Sequence, residues 1–305
     1  MKNYKSTTRD VRAIIKNFKE QKVNGVIIDL RNNGGGSLQE AIQLTGLFIK
    51  DGPVVQVRNS GNKVEVDSDP DPSIFHDGPL AVIVNRFSAS ASEIFSAAIQ
   101  DYGRGIIIGS NTYGKGTVQN MIDLNRSIPV ADKKLGKLKL TIAKFYRING
   151  STTQRLGVLP DVKFPSLYSA DEFGEISQKS ALPFDQIKPT DYSKYSDLSG
   201  VIPVLEKKHE LRAKKDIEYQ ILADEVKDFK EGREKKKISL NEEERRKERN
   251  IAEAKKKKRE EEKAKAIGLT VEEKKEVNTR TTKSDDYELK ESGRILADLI
   301  LSKVG

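Results

Sequence analysis

The sequence predicts an α/β fold, in which a mixed sheet with flanking helices is followed by a mainly helical, charged C-terminal domain. Over the first 165 of the 305 residues, short runs of β-branched apolar residues alternate with segments of helical periodicity. After residue 200 lysine, glutamate and arginine dominate the chain, which is typical of solvent-exposed helices. We therefore expect a core at 1–170, a linker at 171–202 and a charged helical domain at 203–305.

The first part of the chain alternates between helix and strand signals. Apolar residues at helical spacing predict a helix in TTRDVRAIIKNFKEQ, and the β-branched run in VNGVIIDL predicts a buried strand. A second helix is predicted in SLQEAIQLTGLFI. PVVQVRNSGNKVEV then predicts a hairpin with its turn at Asn59–Asn62.

The same alternation continues towards residue 165. PLAVIVN and GIIIG predict buried strands, and SASASEIFSAAIQDYG between them predicts a helix of small residues that ends at Gly103. KLKLTIAKFYRING alternates apolar and polar residues, which predicts a long strand or a strand pair. The core is expected to end near GVLPDVKFP, where proline-punctuated connecting sequence follows.

Composition excludes several kinds of site. The chain has no cysteine, which excludes disulfides, thiolate metal sites and a cysteine nucleophile. Its two histidines, His76 and His209, lie in polar sequence and are expected at the surface, which disfavours a histidine metal site and a Ser-His-Asp triad. No apolar run is long enough to span a membrane. The polar start leads directly into a helix, from which we expect a piece of a longer protein.

The net charge of the chain is +9, and charged residues of both signs are densest in the C-terminal region. Acidic residues are interleaved with basic ones in 203–265, and no aromatic residue occurs from Ser239 to Ala266. This pattern favours a long, exposed, salt-bridged helix over a nucleic-acid-binding arm. The closing stretch ESGRILADLILSKV is amphipathic, which predicts that it docks on the core or on a partner.

The glycine-rich turn in GIIIGSNTYGKGTVQ carries Lys115 and has the opening pattern of a phosphate-binding loop. Such a loop needs serine or threonine directly after the lysine and a helix that begins there. Gly116 occupies that position, and GTVQNMIDL predicts a strand. Nucleotide binding is therefore disfavoured, and Lys115 is either a surface residue of a turn or a reactive amine.

Three serines cluster in FSASASEIF, where a buried strand is followed by a helix. Ser90 and Glu93 fit a capping box, with serine as the N-cap residue and glutamate at N3. A helix N-terminus also favours negative charge, so the N–H of Ala91 would face an oxyanion formed at a nucleophilic Ser90. The residues alone do not distinguish Ser90 from Ser88 or Ser92 in this role.

A glycine loop and a lysine supply the other parts of a nucleophilic site. DLRNNGGG predicts an exposed loop that donates a second N–H and is pinned by a bond between Asp29 and Arg31. A lysine serves as a base when burial keeps its amine neutral. Lys115 is the candidate, and Gln119, four residues further on, would orient the amine through its amide oxygen.

Four segments in this order closely resemble the C-terminal processing peptidases: DLRNNGGG, VNRFSASASEIFSAAIQDYGRGIIIG, NTYGKGTVQ and KFYRINGSTTQRLGVLPDV. These tail-specific proteases are serine peptidases with a Ser-Lys dyad, and the resemblance implies a crotonase/Clp-protease-like catalytic core over roughly residues 8–165. The charged C-terminal region resembles the extra helical domain of the long Gram-negative members.

The resemblance also assigns individual residues. Ser90 corresponds to the nucleophile, Lys115 to the general base and Gln119 to the residue that orients the base. Within Gly34–Gly36 the expected oxyanion donor is Gly36. The resemblance assigns Ala91, Gly36 and Gly35 to the oxyanion hole. It assigns Asp101, Glu93 and Thr112 to positions that support the site.

The implied activity is endoproteolysis near protein C-termini through an acyl-enzyme, with no metal and no cofactor. As partners we expect polypeptides with exposed C-termini, an adaptor protein at the C-terminal domain and peripheral membrane association, but no nucleic acid. The family implies a periplasmic location and processing or degradation of envelope proteins. Members usually carry a PDZ domain before the core, which we expect this chain to lack.

Two alternative functions remain open from the sequence. The first is a non-catalytic interaction module, and the second, less favoured, is a phosphate-loop protein.

Overall fold

Helices and strands follow one another along the chain in the predicted order. The computed structural model describes residues 4–127, 134–235, 237–266, 268, 270 and 286–302. The strands are β1 (Val26–Asp29), β2 (Gly52–Asn59), β3 (Val64–Asp69), β4 (Leu80–Val84), β5 (Ile106–Gly109), β6 (Thr117–Asp123), β7 (Lys137–Tyr146) and β8 (Val162–Lys163). The helices are α1 (Thr7–Glu20), α2 (Leu38–Gly46), α3 (Ala91–Asp101), α4 (Leu124–Ser127), α5 (Ala170–Phe173), α6 (Ile202–Ala213), α7 (Ile217–Glu234), α8 (Glu242–Ala266) and α9 (Tyr287–Ser302), and a 3₁₀ turn spans Glu175–Ser177.

Two four-stranded sheets form the core, one parallel and one antiparallel. The parallel sheet has the order β1-β4-β5-β8, with Val26 opposite Leu80 and Ala81 opposite Ile106. The antiparallel sheet has the order β3-β2-β7-β6. The mixed α/β class and the helical C-terminal region predicted from the sequence are thereby confirmed.

The carboxyl ends of β1, β4 and β5 lie side by side, because these strands are parallel neighbours. The glycine loop follows β1, Ser90 follows β4, and Lys115 follows β5. In open sheets of this kind, ligands bind beyond the carboxyl ends of the strands. The topology therefore brings the three segments that the sequence singles out to one edge of the sheet.

Helix α3 lies between the two sheets and is apolar on both faces. On one side Phe95 and Ile99 pack in a cluster with Leu80 and other residues of the parallel sheet. On the other side Ile94 and Ala98 belong to a cluster that contains residues of β2 and β7. Since every residue from 92 to 99 is buried, the serines and alanines of this helix are the small side chains that a two-sided contact needs.

The hairpin and the strand after Lys115 form as predicted. The backbone N–H of Asn59 donates to the Lys63 carbonyl at 3.1 Å, and Asn62 takes a φ of 61° in the turn. Asparagine tolerates this left-handed conformation better than most residues. Strand β6 begins at Thr117 and pairs with β7, so no helix begins at Lys115.

The expectation of one long helix over 203–265 is wrong. This region contains α6, α7 and α8, and the break between the first two lies at Lys214–Asp216. Asp216 caps α7, since its carboxylate accepts the N–H of Glu218 at 2.9 Å, and side-chain capping stabilises a new helix start. Helix α8 does match the expected exposed, charged surface, and it is joined to α7 by an ion pair of 2.6 Å between Arg259 and Asp228.

The expectation that both histidines lie at the surface is also wrong. His76 is 7% exposed and packs edge-on against Phe48. His209 is 4% exposed and lies 3.0 Å from the carboxylate of Glu291. Both residues sit in polar sequence, but tertiary contacts from distant segments bury them, which local composition does not show.

The segment expected as a linker, 171–202, lies along the core. Asp185 accepts hydrogen bonds from Arg58 at 2.5 Å and from the Tyr146 hydroxyl at 3.0 Å. The N–H of Ile187 donates to the Gly150 carbonyl at 2.9 Å. These bonds attach the segment to the antiparallel sheet and to the turn after β7.

Helix α9 covers the face of the parallel sheet opposite α3. Ile295, Leu296 and Leu299 are buried in a cluster with Ile106 and Ile108 of β5 and with α6. The sequence predicts that the amphipathic closing stretch docks either on the core or on a partner. In the structure it docks on the core. None of the described helices combines the length and the apolarity needed to cross a bilayer.

Replacing Ile295 by alanine should weaken the fold. Its side chain is 0% exposed, and emptying such a site costs about 2–5 kcal/mol in free energy of unfolding. Leu301 on the same helix is 65% exposed, so Leu301→Ala should cost less than about 0.5 kcal/mol. Urea unfolding of both variants measures the difference, and equal losses would contradict the docking of α9.

Candidate active site

Ser90 sits in a strained turn directly before α3. Its φ of 56° and ψ of −115° are unusual for a residue with a side chain. Such backbone conformations cost about 1–3 kcal/mol and persist where the surrounding structure enforces them, often at active sites. A serine held this way at a strand-to-helix turn matches the geometry of an exposed nucleophile.

Hydrogen bonding distinguishes Ser90 from its two neighbouring serines. Ser88 is fully buried, and its hydroxyl donates to the Leu30 carbonyl at 2.7 Å. The Ser92 hydroxyl is also buried and donates to the Asn33 carbonyl at 3.0 Å. The Ser90 oxygen takes part in the capping box with Glu93, but among the described residues its O–H has no assigned acceptor, and it lines an open cleft. Ser88 and Ser92 therefore brace the glycine loop, and Ser90 has the available hydroxyl.

Ser90 and Glu93 form the predicted capping box, and Glu93 does more than cap the helix. Its buried carboxylate accepts the N–H groups of Ser90 at 2.7 Å, Gly114 at 2.7 Å and Lys115 at 3.0 Å. The Thr112 hydroxyl donates to the same carboxylate at 2.6 Å. One side chain thus links the turn of Ser90 to the turn of Lys115.

The environment of Glu93 is dry, which changes its acidity. The side chain is 0% exposed, and burial raises its pKa to about 7, although the four hydrogen bonds favour the charged form. Thr112 completes the arrangement, since its hydroxyl also accepts the N–H of Val158 at 2.7 Å. Threonine and glutamate therefore form a buried polar group between α3 and the turn after β5.

Lys115 is half-buried beside the cleft, and its amine donates to the Thr117 carbonyl at 3.2 Å. Burial lowers the pKa of this amine, and the positive charge of Lys139 lowers it further, against the opposing effect of Glu175 and Glu93. In the described part of the chain no hydrogen bond joins the Lys115 amine to Ser90. The two side chains share the cleft, and a lysine side chain is long enough to exchange one acceptor for another.

The glycine loop presses its backbone against Ser90. Gly35 has a φ of 93°, and a side chain there would lie 2.5 Å from the Ala89 carbonyl and 2.8 Å from the Ala91 nitrogen. Its own N–H donates to the Asn33 side chain at 3.0 Å. Gly36 has open space around its Cα. Within the described residues no acceptor is assigned to the N–H of Gly36 or Ala91, so these two groups are free to bind an oxyanion.

The cleft that these parts surround has a volume of about 640 Å³. Among its lining residues are Gly36, Ser90, Ala91, Lys115, Gln119 and Lys139. A groove of similar size, about 690 Å³, lies between α7 and α8 and is lined mainly by charged side chains. The cleft beside Ser90 combines a hydroxyl that is free to donate, an amine whose pKa is lowered and N–H donors without an assigned acceptor. These groups make it the candidate site.

Gln119 lines the cleft but does not contact the lysine. It is exposed, and its amide nitrogen lies 3.5 Å from the Thr141 hydroxyl. A register shift between Val118 and Gln119 interrupts the pairing of β6 with β7. A bulge changes which face of a strand a residue occupies. The four-residue spacing from Lys115 therefore does not by itself determine on which face of the sheet the Gln119 side chain lies. The orienting role of Gln119 stays a prediction.

Asp101 lies at the other end of α3 from Ser90. Its carboxylate accepts hydrogen bonds from Arg147 at 2.6 Å and from the Asn149 side chain at 2.7 Å. Burial raises the pKa of this carboxyl against the charge of Arg147. Asp101 therefore anchors α3 to the turn after β7, at a distance from the cleft, and its supporting role stays a prediction.

Two residues near the site were missed from the sequence. The carbonyl of Asn33 accepts the N–H of Ala89 at 3.0 Å and the Ser92 hydroxyl, so Asn33 fastens the glycine loop to the serine turn. An asparagine before glycines is a turn signal that points to such a role. Lys139 reaches the cleft from β7, but an alternating strand sequence does not show which of its lysines faces a site.

Comparison with known proteins agrees with this geometry. Residues 1–164 match the model of peptidase family S41, so the chain belongs to that family. Residues 168–301 match the model described as the C-terminal domain of tail specific protease. The family predicted from the sequence motifs is therefore confirmed.

Individual relatives cover different parts of the chain. The tail-specific protease of Haemophilus influenzae is 41% identical over 98% of this chain. The carboxy-terminal-processing protease of Bartonella bacilliformis is 35% identical over 51% of it. Among solved structures, a photosystem II D1 C-terminal processing protease is 31% identical, covers 55% of this chain and 42% of its own, and has a TM-score of 0.47. The chain spans 43% and 35% of the two curated relatives' own lengths.

Gly35→Ala should destabilise the protein, whereas Gly36→Ala should be tolerated. A methyl group at Gly35 meets backbone atoms at 2.5 and 2.8 Å and sits on a φ of 93°, but at Gly36 it meets nothing within 4 Å. We expect a loss of about 1–3 kcal/mol in unfolding free energy for the first variant and less than about 0.5 kcal/mol for the second. Urea unfolding measures both, and a tolerated Gly35→Ala would rule out the close approach.

Proposed function

We propose that this chain carries the catalytic part of a serine endopeptidase that cleaves proteins near their C-termini through a Ser-Lys dyad. The observation that supports this most is the selective freedom of the Ser90 hydroxyl. Ser88 and Ser92 use their hydroxyls in buried hydrogen bonds, while Ser90 faces a cleft that also contains Lys115. Membership of peptidase family S41 agrees with this chemistry.

In the first step the Ser90 oxygen attacks the carbonyl carbon of the scissile peptide bond. The neutral Lys115 amine takes the hydroxyl proton and becomes an ammonium. The carbonyl oxygen gains negative charge, which the N–H groups of Ala91 and Gly36 stabilise. The positive end of α3 adds to this stabilisation, because Ala91 is the first residue of the helix.

In the second step the tetrahedral intermediate collapses. The carbon–nitrogen bond breaks, the leaving amine takes the proton from the Lys115 ammonium, and an ester to Ser90 remains. Water then attacks the ester while Lys115 accepts a proton from it. When the ester bond breaks, that proton returns to the Ser90 oxygen and the new carboxylic acid is released.

An extended substrate has a natural docking edge in the antiparallel sheet. Strand β6 is the outer strand in the order β3-β2-β7-β6, and its residues Thr117, Val118 and Gln119 line the cleft. A peptide that adds to such an edge gains main-chain hydrogen bonds independently of its sequence. This mode suits a peptidase that accepts varied unfolded chains.

The biological setting is part of the same proposal. The Haemophilus influenzae relative is named a tail-specific protease, which supports substrates recognised by their C-termini. The family resemblance further supports a periplasmic protein that processes or degrades envelope proteins. We place contacts with an adaptor protein or with a membrane surface on the helical region 203–305.

Ser90→Ala should abolish peptidase activity, whereas Ser88→Ala and Ser92→Ala should keep it. We expect a loss of about 10⁴-fold or more in kcat for the first variant, with a stability cost below about 1 kcal/mol. The two controls should each lose about 0.5–1.5 kcal/mol in unfolding free energy, because each removes one hydrogen bond while the carbonyl concerned keeps a backbone donor. Cleavage of an unfolded protein and urea unfolding measure the two effects. An active Ser90→Ala would exclude this residue as the nucleophile.

Activity should rise with pH and should not survive Lys115→Arg. The base must be neutral, and burial holds the Lys115 pKa below its usual 10.5, so the neutral fraction grows as pH rises through that lowered value. Arginine keeps its charge and cannot accept the proton. We expect Lys115→Arg to be as inactive as Lys115→Ala, measured as kcat/KM against pH.

The lysine prediction also separates peptidase from nucleotide chemistry. A phosphate-binding lysine would tolerate arginine better than alanine, and magnesium ATP would bind. Substantial cleavage by Lys115→Arg with an unchanged pH profile would remove the lysine from the mechanism.

A further inference from the structure

Arg31 connects the glycine loop to the C-terminal helix. It follows β1, and its guanidinium binds Asp29 of that strand at 2.6 Å and Asp286 and Glu288 of the α9 region at 2.5 and 2.9 Å. We call Arg31, Asp29, Asp286 and Glu288 the Arg31 cluster. Within this cluster, Arg31 and Glu288 are 257 positions apart in sequence.

Arg31 is the shielded, fully bonded centre of the cluster. The Arg31 side chain is 14% exposed, and its Nε, Nη1 and Nη2 atoms together donate to the three carboxylates. Paired, multidentate bonds of this kind fix direction as well as distance. Three carboxylates share one guanidinium, so neutralising or removing Arg31 would leave like charges facing each other across the joint between core and α9.

A short chain of contacts leads from Arg31 to the oxyanion donors. The next residue, Asn32, has a φ of 59° and exchanges hydrogen bonds of 3.0 and 2.9 Å with Asn85. Asn33 then accepts the N–H of Gly35 at 3.0 Å. Gly35 in turn packs against the Ala91 nitrogen. Asn32, Asn33 and Gly35 are therefore each tied either to the serine turn or to another residue of the loop.

Helix α9 holds both ends of β1. At the start of that strand, the closest atoms to the Cβ position of Gly25 belong to Leu296 and Ile300 of α9, at 3.1 and 3.3 Å. At its end, Asp286 and Glu288 hold Arg31. A shift of α9 along β1 would consequently pull on the residue from which the glycine loop departs.

We propose that Arg31 is a positioning residue and that the C-terminal helix sets the oxyanion hole through it. The inference rests on the proposed peptidase function, since it concerns the N–H donors of that mechanism. The Arg31 cluster orients the glycine loop, and Gly36 faces the reacting oxygen as a result. The C-terminal region therefore acts on catalysis directly. A partner that binds to the helices α6, α7, α8 or α9 can alter the turnover number.

The test uses the full chain with Asp286→Asn and Glu288→Gln combined. These changes keep side-chain size, and asparagine still caps the start of α9, where Asp286 accepts the N–H of Leu289 at 3.1 Å. The matched control is Asp298→Asn on the same helix, which breaks ion pairs with Lys208 and Arg212 of α6. Both variants remove ion pairs that hold α9 on the rest of the protein, but the control leaves the Arg31 cluster intact.

We expect kcat for cleavage of an unfolded protein to fall about tenfold or more in the double variant, because small displacements of catalytic groups have large effects on rate. KM should stay within about twofold, and the control should keep both constants within about twofold. Equal losses of kcat in both variants, or no loss in the double variant, would overturn the proposal.

Hydrogen–deuterium exchange of residues 31–36 provides a readout that does not depend on catalysis. Exchange there should increase in the double variant and stay unchanged in Asp298→Asn, since the N–H groups of Arg31, Asn32, Asn33 and Gly35 are hydrogen-bonded. If the unmodified chain cleaves nothing, the proposed function fails. In that case unchanged exchange in the double variant would also refute the coupling, and increased exchange would support it.

Discussion

The buried carboxylate of Glu93 is the interaction on which the site depends. It receives four hydrogen bonds, from Ser90, Thr112, Gly114 and Lys115. A carboxylate without these donors would not stay charged in a 0% exposed position. Because the donors come from two separate turns, the carboxylate fixes their distance, and the strained backbone of Ser90 is compensated within the same network.

The packing of α3 makes that network rigid. Its two apolar faces are held by two different sheets, so the start of the helix cannot move without disturbing both. Asp101 anchors the far end through Arg147. The glycine loop is less constrained by the core, since the N–H of Gly36 has no assigned acceptor among the described residues, and the loop is braced by Ser88, Ser92 and the Arg31 cluster. The candidate site therefore combines a fixed turn at Ser90 with a loop whose position depends on more distant contacts.

Local sequence predicted the elements and the segments of the candidate site, but not the contacts that shape it. The β-branched runs at β4 and β5 and the capping pattern at Ser90 report on neighbours within a few residues. The burial of His209 by Glu291 and the attachment of Arg31 to Asp286 join segments far apart in sequence, so no local pattern shows them. The break at Asp216 was visible as a capping residue, but uniform charge around it favoured a continuous helix.

The parallel order β1-β4-β5 has a consequence for how this protein can diversify. Each strand is followed by one part of the proposed site, so the order along the sheet edge is proposed oxyanion donor, proposed nucleophile and proposed base. The polypeptide between these strand ends, such as the hairpin β2–β3, supplies none of these three parts. Insertions there can reshape the walls that meet a substrate while hydrogen-bonded strand register preserves the spacing of the three parts. Selectivity and chemistry can therefore evolve on separate stretches of the same chain.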